Sequence, residues 1–161
     1  MKLDRRDLLG MIGIAVFTGS PVESLAPQTA GETPDAARAR FAGIYKLVTY
    51  APYGSNPAGR IFYDRGGSMG AMLFPPGRQP LPQNPTIDDY RAMQRGLIAY
   101  YATYTVDESA RRVIHHIMAA SNPAWVGTDF VRWYELSGDR LTLRTSPTST
   151  SPLIWERLRE S

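Results

Sequence analysis

Cysteine is absent from all 161 residues. That absence excludes disulfides, thiol nucleophiles, thiolate metal sites and lipid attachment through an N-terminal cysteine. Charge of one sign is also scarce: 18 Lys and Arg stand against 15 Asp and Glu, a net +3. No basic stripe alternates with stacking aromatics, which argues against nucleic acid as a partner. No nucleophile elbow, phosphate-cradling glycine loop or paired-carboxylate motif occurs. Histidine is limited to one adjacent pair, His115 and His116.

Long apolar runs are missing too. The longest candidate, from Leu8 to Phe17, reaches about half of what a bilayer span needs. It follows a charged start with Arg5 and Arg6 side by side, and small residues follow it. A charged start, a short apolar middle and small residues near the end form a secretory signal. The "RRDLL" pattern resembles the twin-arginine type, which exports folded proteins; the alternative is an uncleaved N-terminal helix on a cytoplasmic protein. Residues 1–30 are therefore expected to be a signal peptide, with Ala26 and Ala30 as cleavage candidates and no membrane span left afterwards. A periplasmic or secreted location follows. Removal takes away Lys2, Arg5 and Arg6 together with Asp4, Asp7 and Glu23, so the mature charge stays at +3. Residues 31–40, "GETPDAARAR", read as a linker or a short lead-in helix.

What is present from Phe41 onward is strand-like. "IYKLVTY" (44–50), "RIFYD" (60–64), "SMGAMLF" (68–74), "YATYTVD" (101–107), "RRVIHHIMA" (111–119), "TDFVRWYEL" (128–136), "RLTLRT" (140–145) and "PLIWERL" (152–158) are short runs of β-branched and aromatic residues bounded by turn residues. Between the third and fourth runs, Thr86 can cap a helix over about 87–98, with Ile87, Tyr90, Met93, Leu97 and Ile98 near helical spacing. Eight strands in one open sheet would leave two raw edges. Closure into an all-β, eight-stranded antiparallel up-and-down barrel over residues 41–161 removes them. Such a barrel is either filled by side chains or holds one small ligand.

The segments "FAGIYKLVTY", "GRIFYDRGGSMGAML", "YYATYTVDE", "HHIMAASNPAWVGTDFVRWYEL", "GDRLTL" and "LIWERL" together resemble the bacterial and fungal lipocalin-like domain proteins. The resemblance spans about residues 41–158 and implies a lipocalin-type barrel. It implies little about activity, because many members of that family lack an assigned reaction. "GIY" stands where typical lipocalins place Gly-X-Trp, so Tyr45 replaces the Trp, and Arg157 is expected to stack on it at the closed end.

Strand residues alternate between faces, and charged residues mark the outer one. Inward phases are then Tyr45, Leu47 and Thr49; Ile61 and Tyr63; Tyr100, Ala102, Tyr104 and Val106; Phe130, Arg132, Tyr134 and Leu136; Leu141 and Leu143; Leu153, Trp155 and Arg157. If Arg112 faces water, Val113, His115 and Ile117 face the lumen; the opposite register would bury His116. Without a bulge, period two keeps both histidines from entering together. No third ligand sits at metal spacing, so neither a metal nor a cofactor is assigned.

Tyr63, Tyr100, Tyr104, His115, Arg132, Tyr134 and Trp155 are thus the candidate ligand-binding residues. A few polar groups in an apolar cavity suit a small molecule. Arg132 suits a carboxylate, enolate or phenolate. Trp125 in "NPAW" suits a plug or a lid. The favoured function is an exported protein that binds a small, largely apolar or aromatic molecule bearing an acidic or carbonyl group. One alternative is a cofactor-free isomerase, cyclase or dehydratase, with His115 moving a proton while Arg132 and Tyr104 stabilise an enolate. The other is a filled barrel without a ligand, working through its surface. The sequence alone does not decide whether the protein is an enzyme.

Overall fold

A computed structural model describes residues 33–54 and 56–159; the expected signal peptide lies outside the described residues. Helix α1 (Pro34–Phe41) precedes β1 (Gly43–Thr49), β2 (Ala58–Tyr63) and β3 (Ser68–Phe74). Helix α2 (Ile87–Gln94) follows, then β4 (Ile98–Asp107), β5 (Arg112–Ala120), β6 (Asp129–Ser137), β7 (Arg140–Arg144) and β8 (Leu153–Arg157). Each strand pairs antiparallel with the next and β8 returns to β1, closing the barrel. This is the expected all-β architecture, with α2 between the third and fourth strands.

Helix α2 begins with a reciprocal capping box between Thr86 and Asp89. It is shorter than the spacing of its apolar residues suggests. Arg95 turns to an extended conformation and Gly96 adopts φ +73°, so Leu97 and Ile98 leave the helix and Ile98 opens β4. Residues 34–41 take the helical one of the two readings of the lead-in segment. Thr33 caps this helix by accepting from the Ala36 N–H at 3.3 Å.

Inward phasing follows the alternation. Tyr45, Leu47, Ile61, Tyr63, Met69, Ala71, Leu73, Ala102, Tyr104, Val113, His115, Ile117, Tyr134, Leu141, Leu143 and Trp155 are all buried. Outside, cross-strand ion pairs join Lys46 to Glu156 at 2.9 Å and Arg144 to Glu135 at 2.7 Å. Two irregularities reset the alternation. Between Leu47 and Thr49 the pairing with β8 shifts, so Thr49 lies opposite Ile154 and is exposed, not inward as expected. Between Tyr101 and Ala102 the pairing with β5 shifts past Met118, which leaves Ala120 opposite Tyr100. The second shift lies beyond the histidines and does not bring them to one face.

One end of the barrel is plugged. Phe41, at the end of α1, is fully buried and packs edge-on against Tyr63 at 5.4 Å and Tyr134 at 4.7 Å between ring centroids. Tyr45 donates its hydroxyl to the Phe41 carbonyl at 2.8 Å. Arg157 lies over the Tyr45 ring at 4.7 Å, as expected, and donates to the carbonyls of Ala42 and Arg40. Gly43 makes room for this guanidinium. It sits at φ +147°, and a Cβ there would stand 2.7 Å from Arg157 Nη1. Gly43→Ala is therefore expected to destabilise the barrel by about 1–3 kcal/mol through backbone strain and a displaced Arg157. Urea unfolding of the two proteins measures it, and an unchanged midpoint would show that this end tolerates a side chain.

Candidate functional site

His115 is the polar centre of the lumen. Its position on β5 turns it inward between Val113 and Ile117, and it is fully buried. Two tyrosines reach it from other strands. Tyr63 Oη, from β2, lies 2.9 Å from Nε2, and Tyr100 Oη, from β4, lies 3.0 Å from Nδ1. Both ring nitrogens are thus satisfied by hydroxyls, so the imidazole sits in the core without an orphaned polar atom.

Beside this group lies one end of the barrel. The rim opposite α1 carries the loops that follow β1, β3, β5 and β7. There Tyr100 packs edge-on against Phe130 at 5.5 Å, and Phe130 against Trp125 at 5.5 Å. All three are only half-buried. Trp125 sits in a short 3₁₀ turn capped by Asn122, which places the indole at the mouth. Two clefts flank this rim. One of about 530 Å³ lies between Tyr53, the proline-rich segment 75–81 and Met93 of α2. The other, of about 460 Å³, lies between Leu97, Ile98, Pro123 and Trp125.

Arg132 on β6 adds a charge to the apolar mouth. Its guanidinium lies over the Phe130 ring at 5.0 Å, and Nη1 donates to the Val131 carbonyl at 2.9 Å. No carboxylate pairs with it among the described residues, although acidic groups elsewhere in the barrel do find arginine or lysine partners. The side chain is half-buried. It is close enough to His115, Tyr63 and Tyr100 for its charge to act on all three.

The other candidates lie elsewhere. Tyr104 is a β-ladder neighbour of His115, but its hydroxyl donates to the Asp64 carbonyl at 2.7 Å, at the turn between β2 and β3. Tyr134 belongs to the plugged end, against Phe41 and under Arg111. Trp155 fills the rung between Leu47 and Leu141, and its indole N–H has no acceptor among the described residues. His116 is on the outer wall, where Nδ1 meets Asp129 at 2.7 Å and Nε2 meets Thr105 at 3.2 Å. Of the seven candidates, Tyr63, Tyr100, His115 and Arg132 come together. Phe130 joins them at the mouth; alternation turns it inward, and its place two residues before Arg132 on one strand face is the signal for it in the sequence.

The sequence profile described as a lipocalin-like domain matches residues 42–158. The chain belongs to the lipocalin-like domain family. The match covers the entire barrel, from the residue before β1 to the residue after β8. Among curated proteins no significant match is found. A lipocalin-like domain folded as a closed barrel fits a ligand-binding role in general terms.

Within this lipocalin-like barrel the electrostatics restrict what His115 can do. Burial, then the positive charge of Arg132, lower its pKa to about 3. Burial pushes the Tyr100 hydroxyl up to about 12 and Tyr63 well above its ordinary value. The cluster is therefore neutral around pH 7, with Arg132 its only charge. A neutral imidazole of such low basicity is a hydrogen-bond bridge and a poor proton acceptor. Acid should expose this. Below pH 6.5 the unfolded chain's imidazole takes a proton that the folded one refuses until about pH 3. Stability should fall across that window, by about 1.4 kcal/mol per pH unit from this one site. His115→Gln is expected to remove that slope when its unfolding free energies are compared with the parent's from pH 7 to 4. Parallel curves would show that the imidazole is protonated in the folded state.

Proposed function

We propose that this protein is an exported binder of a small, largely apolar molecule with an acidic group. In this reading the ligand lies in the open half of the barrel. The single observation that supports it most is Arg132, a guanidinium at an apolar mouth with no carboxylate partner among the described residues. Burying a cation halfway without a counter-charge is costly, and an anionic ligand offsets that cost. Phe130, Tyr100 and Trp125 offer aromatic surface to the apolar part of the ligand. The plugged half contributes packing, which confines the ligand to the Tyr100 and Phe130 level.

The catalytic alternative finds less support. The imidazole pKa of about 3 leaves little driving force for proton abstraction, and the Tyr104 hydroxyl is occupied by the Asp64 carbonyl. The proposed extracytoplasmic setting rests on the pattern of residues 1–30.

The test uses protein recovered from the envelope fraction, its new N-terminus sequenced. Naphthalene-2-carboxylate and uncharged naphthalene are titrated against it, with tryptophan fluorescence as readout. The carboxylate is expected to bind more tightly, and Arg132→Met to weaken it by about 10- to 100-fold while sparing naphthalene. Equal loss for both probes would contradict the assignment of Arg132. An uncleaved chain in the cytoplasm would contradict export.

A further inference from the structure

Tyr63, His115 and Tyr100 line up from the deep interior toward the mouth, and their hydrogens can be ordered in only two ways. A neutral imidazole has one donor and one acceptor nitrogen. Suppose the proton is on Nε2. The ring then donates to Tyr63 Oη and accepts from Tyr100, and the hydroxyl proton of Tyr63 has no acceptor among the described residues. Tyr63 is only 2% exposed, so that proton would be stranded in the core. A stranded buried donor is among the costlier defects a fold can carry. Now suppose the proton is on Nδ1. Tyr63 donates to Nε2 at 2.9 Å, and Nδ1–H donates to Tyr100 Oη at 3.0 Å. The hydrogens of the Tyr63 hydroxyl and of the imidazole are then both used. The one left over is the hydroxyl proton of Tyr100, the half-buried member, whose ring shares Phe130 with the Arg132 guanidinium.

We propose that Tyr63, His115 and Tyr100 form a one-way donor chain with the imidazole proton on Nδ1, so that the Tyr100 hydroxyl and Arg132 together present only donors to the ligand and select a carboxylate. This deepens the binding reading above and rests on it for the ligand, but not for the direction of the chain. A hydroxyl donor and a guanidinium together suit the two oxygens of a carboxylate. An ammonium or amide N–H brought to the same place would meet donors with no acceptor, and would be rejected. His115 is then a positioning residue. It holds Tyr100 in the donor sense without touching the ligand.

Two measurements test this. The first needs no ligand. Long-range ¹H–¹⁵N correlation spectra of ¹⁵N-histidine-labelled protein at neutral pH separate the two tautomers, and His116→Gln identifies which signals belong to His115. A protonated Nδ1 with a bare Nε2 is expected; the opposite tautomer overturns the chain, whatever binds. The second compares Tyr100→Phe with the parent for naphthalene-2-carboxylate, naphthalene and 2-naphthylmethylammonium. The expected result is about tenfold weaker carboxylate binding, unchanged naphthalene binding, and little ammonium binding by either protein. If Tyr100→Phe leaves the carboxylate affinity intact, Tyr100 is not the donor. If the parent takes the ammonium as well as the carboxylate, the selection is wrong. If the parent binds none of the three, the binding reading itself fails, and the tautomer still decides the chain.

Discussion

Two neighbouring residues on one strand of a closed barrel cannot both face its interior. This constraint divides the histidine pair. It sends His115 into the lumen and His116 to the outer wall, where Asp129 and Thr105 hold it. A buried imidazole then needs partners for two nitrogens, and the barrel supplies them as inward tyrosines, Tyr63 from β2 and Tyr100 from the neighbouring β4. Burial and the nearby charge of Arg132 keep that ring neutral. Among the described residues, the charge acting on this cluster of rings is that of Arg132.

The two ends of the barrel are packed differently. At the α1 end, Phe41, Tyr45, Tyr63 and Tyr134 interlock ring edge to ring face, with Arg157 as an outer clamp on Tyr45. That end is a packed core. At the other, rings are only half-buried and a guanidinium lies among them. An eight-stranded barrel can be filled or can hold one small ligand, and the binding proposed above assigns the first to the α1 end and the second to the other. The family assignment agrees with the architecture and leaves the chemistry to the particular side chains at the mouth.

Much of the fold was legible because its outer face is marked by charge. Lys46, Glu135, Glu156 and Arg112 fix the phase of their strands, and the inward sets follow by alternation. Thr49 was misplaced because a bulge changes backbone pairing without leaving a residue signature, and the strand changes face after it. The plug was hard to see for another reason. In α1 only Ala37 and Phe41 enter the core, too few to give the helix an apolar stripe. The site was half legible. Alternation could turn Tyr104, Tyr134 and Trp155 inward beside His115, but it carries no information about height along the barrel axis. That coordinate separates Tyr134 from Arg132, two residues apart on one strand face. Nor could one chain reveal that Arg132 has no carboxylate partner among the described residues, since pairing depends on which strands the closed sheet makes neighbours.

The central claim is that the open half of this barrel holds a carboxylate against Arg132. Crystals soaked in 6-bromonaphthalene-2-carboxylate test it most directly, because bromine is located by anomalous scattering. The account predicts a peak inside the mouth, near Phe130 and Trp125, with the carboxylate on the Arg132 guanidinium and the Tyr100 hydroxyl. Bromine found only in the outer clefts, or a mouth closed by side chains with Arg132 turned away to solvent, would contradict it.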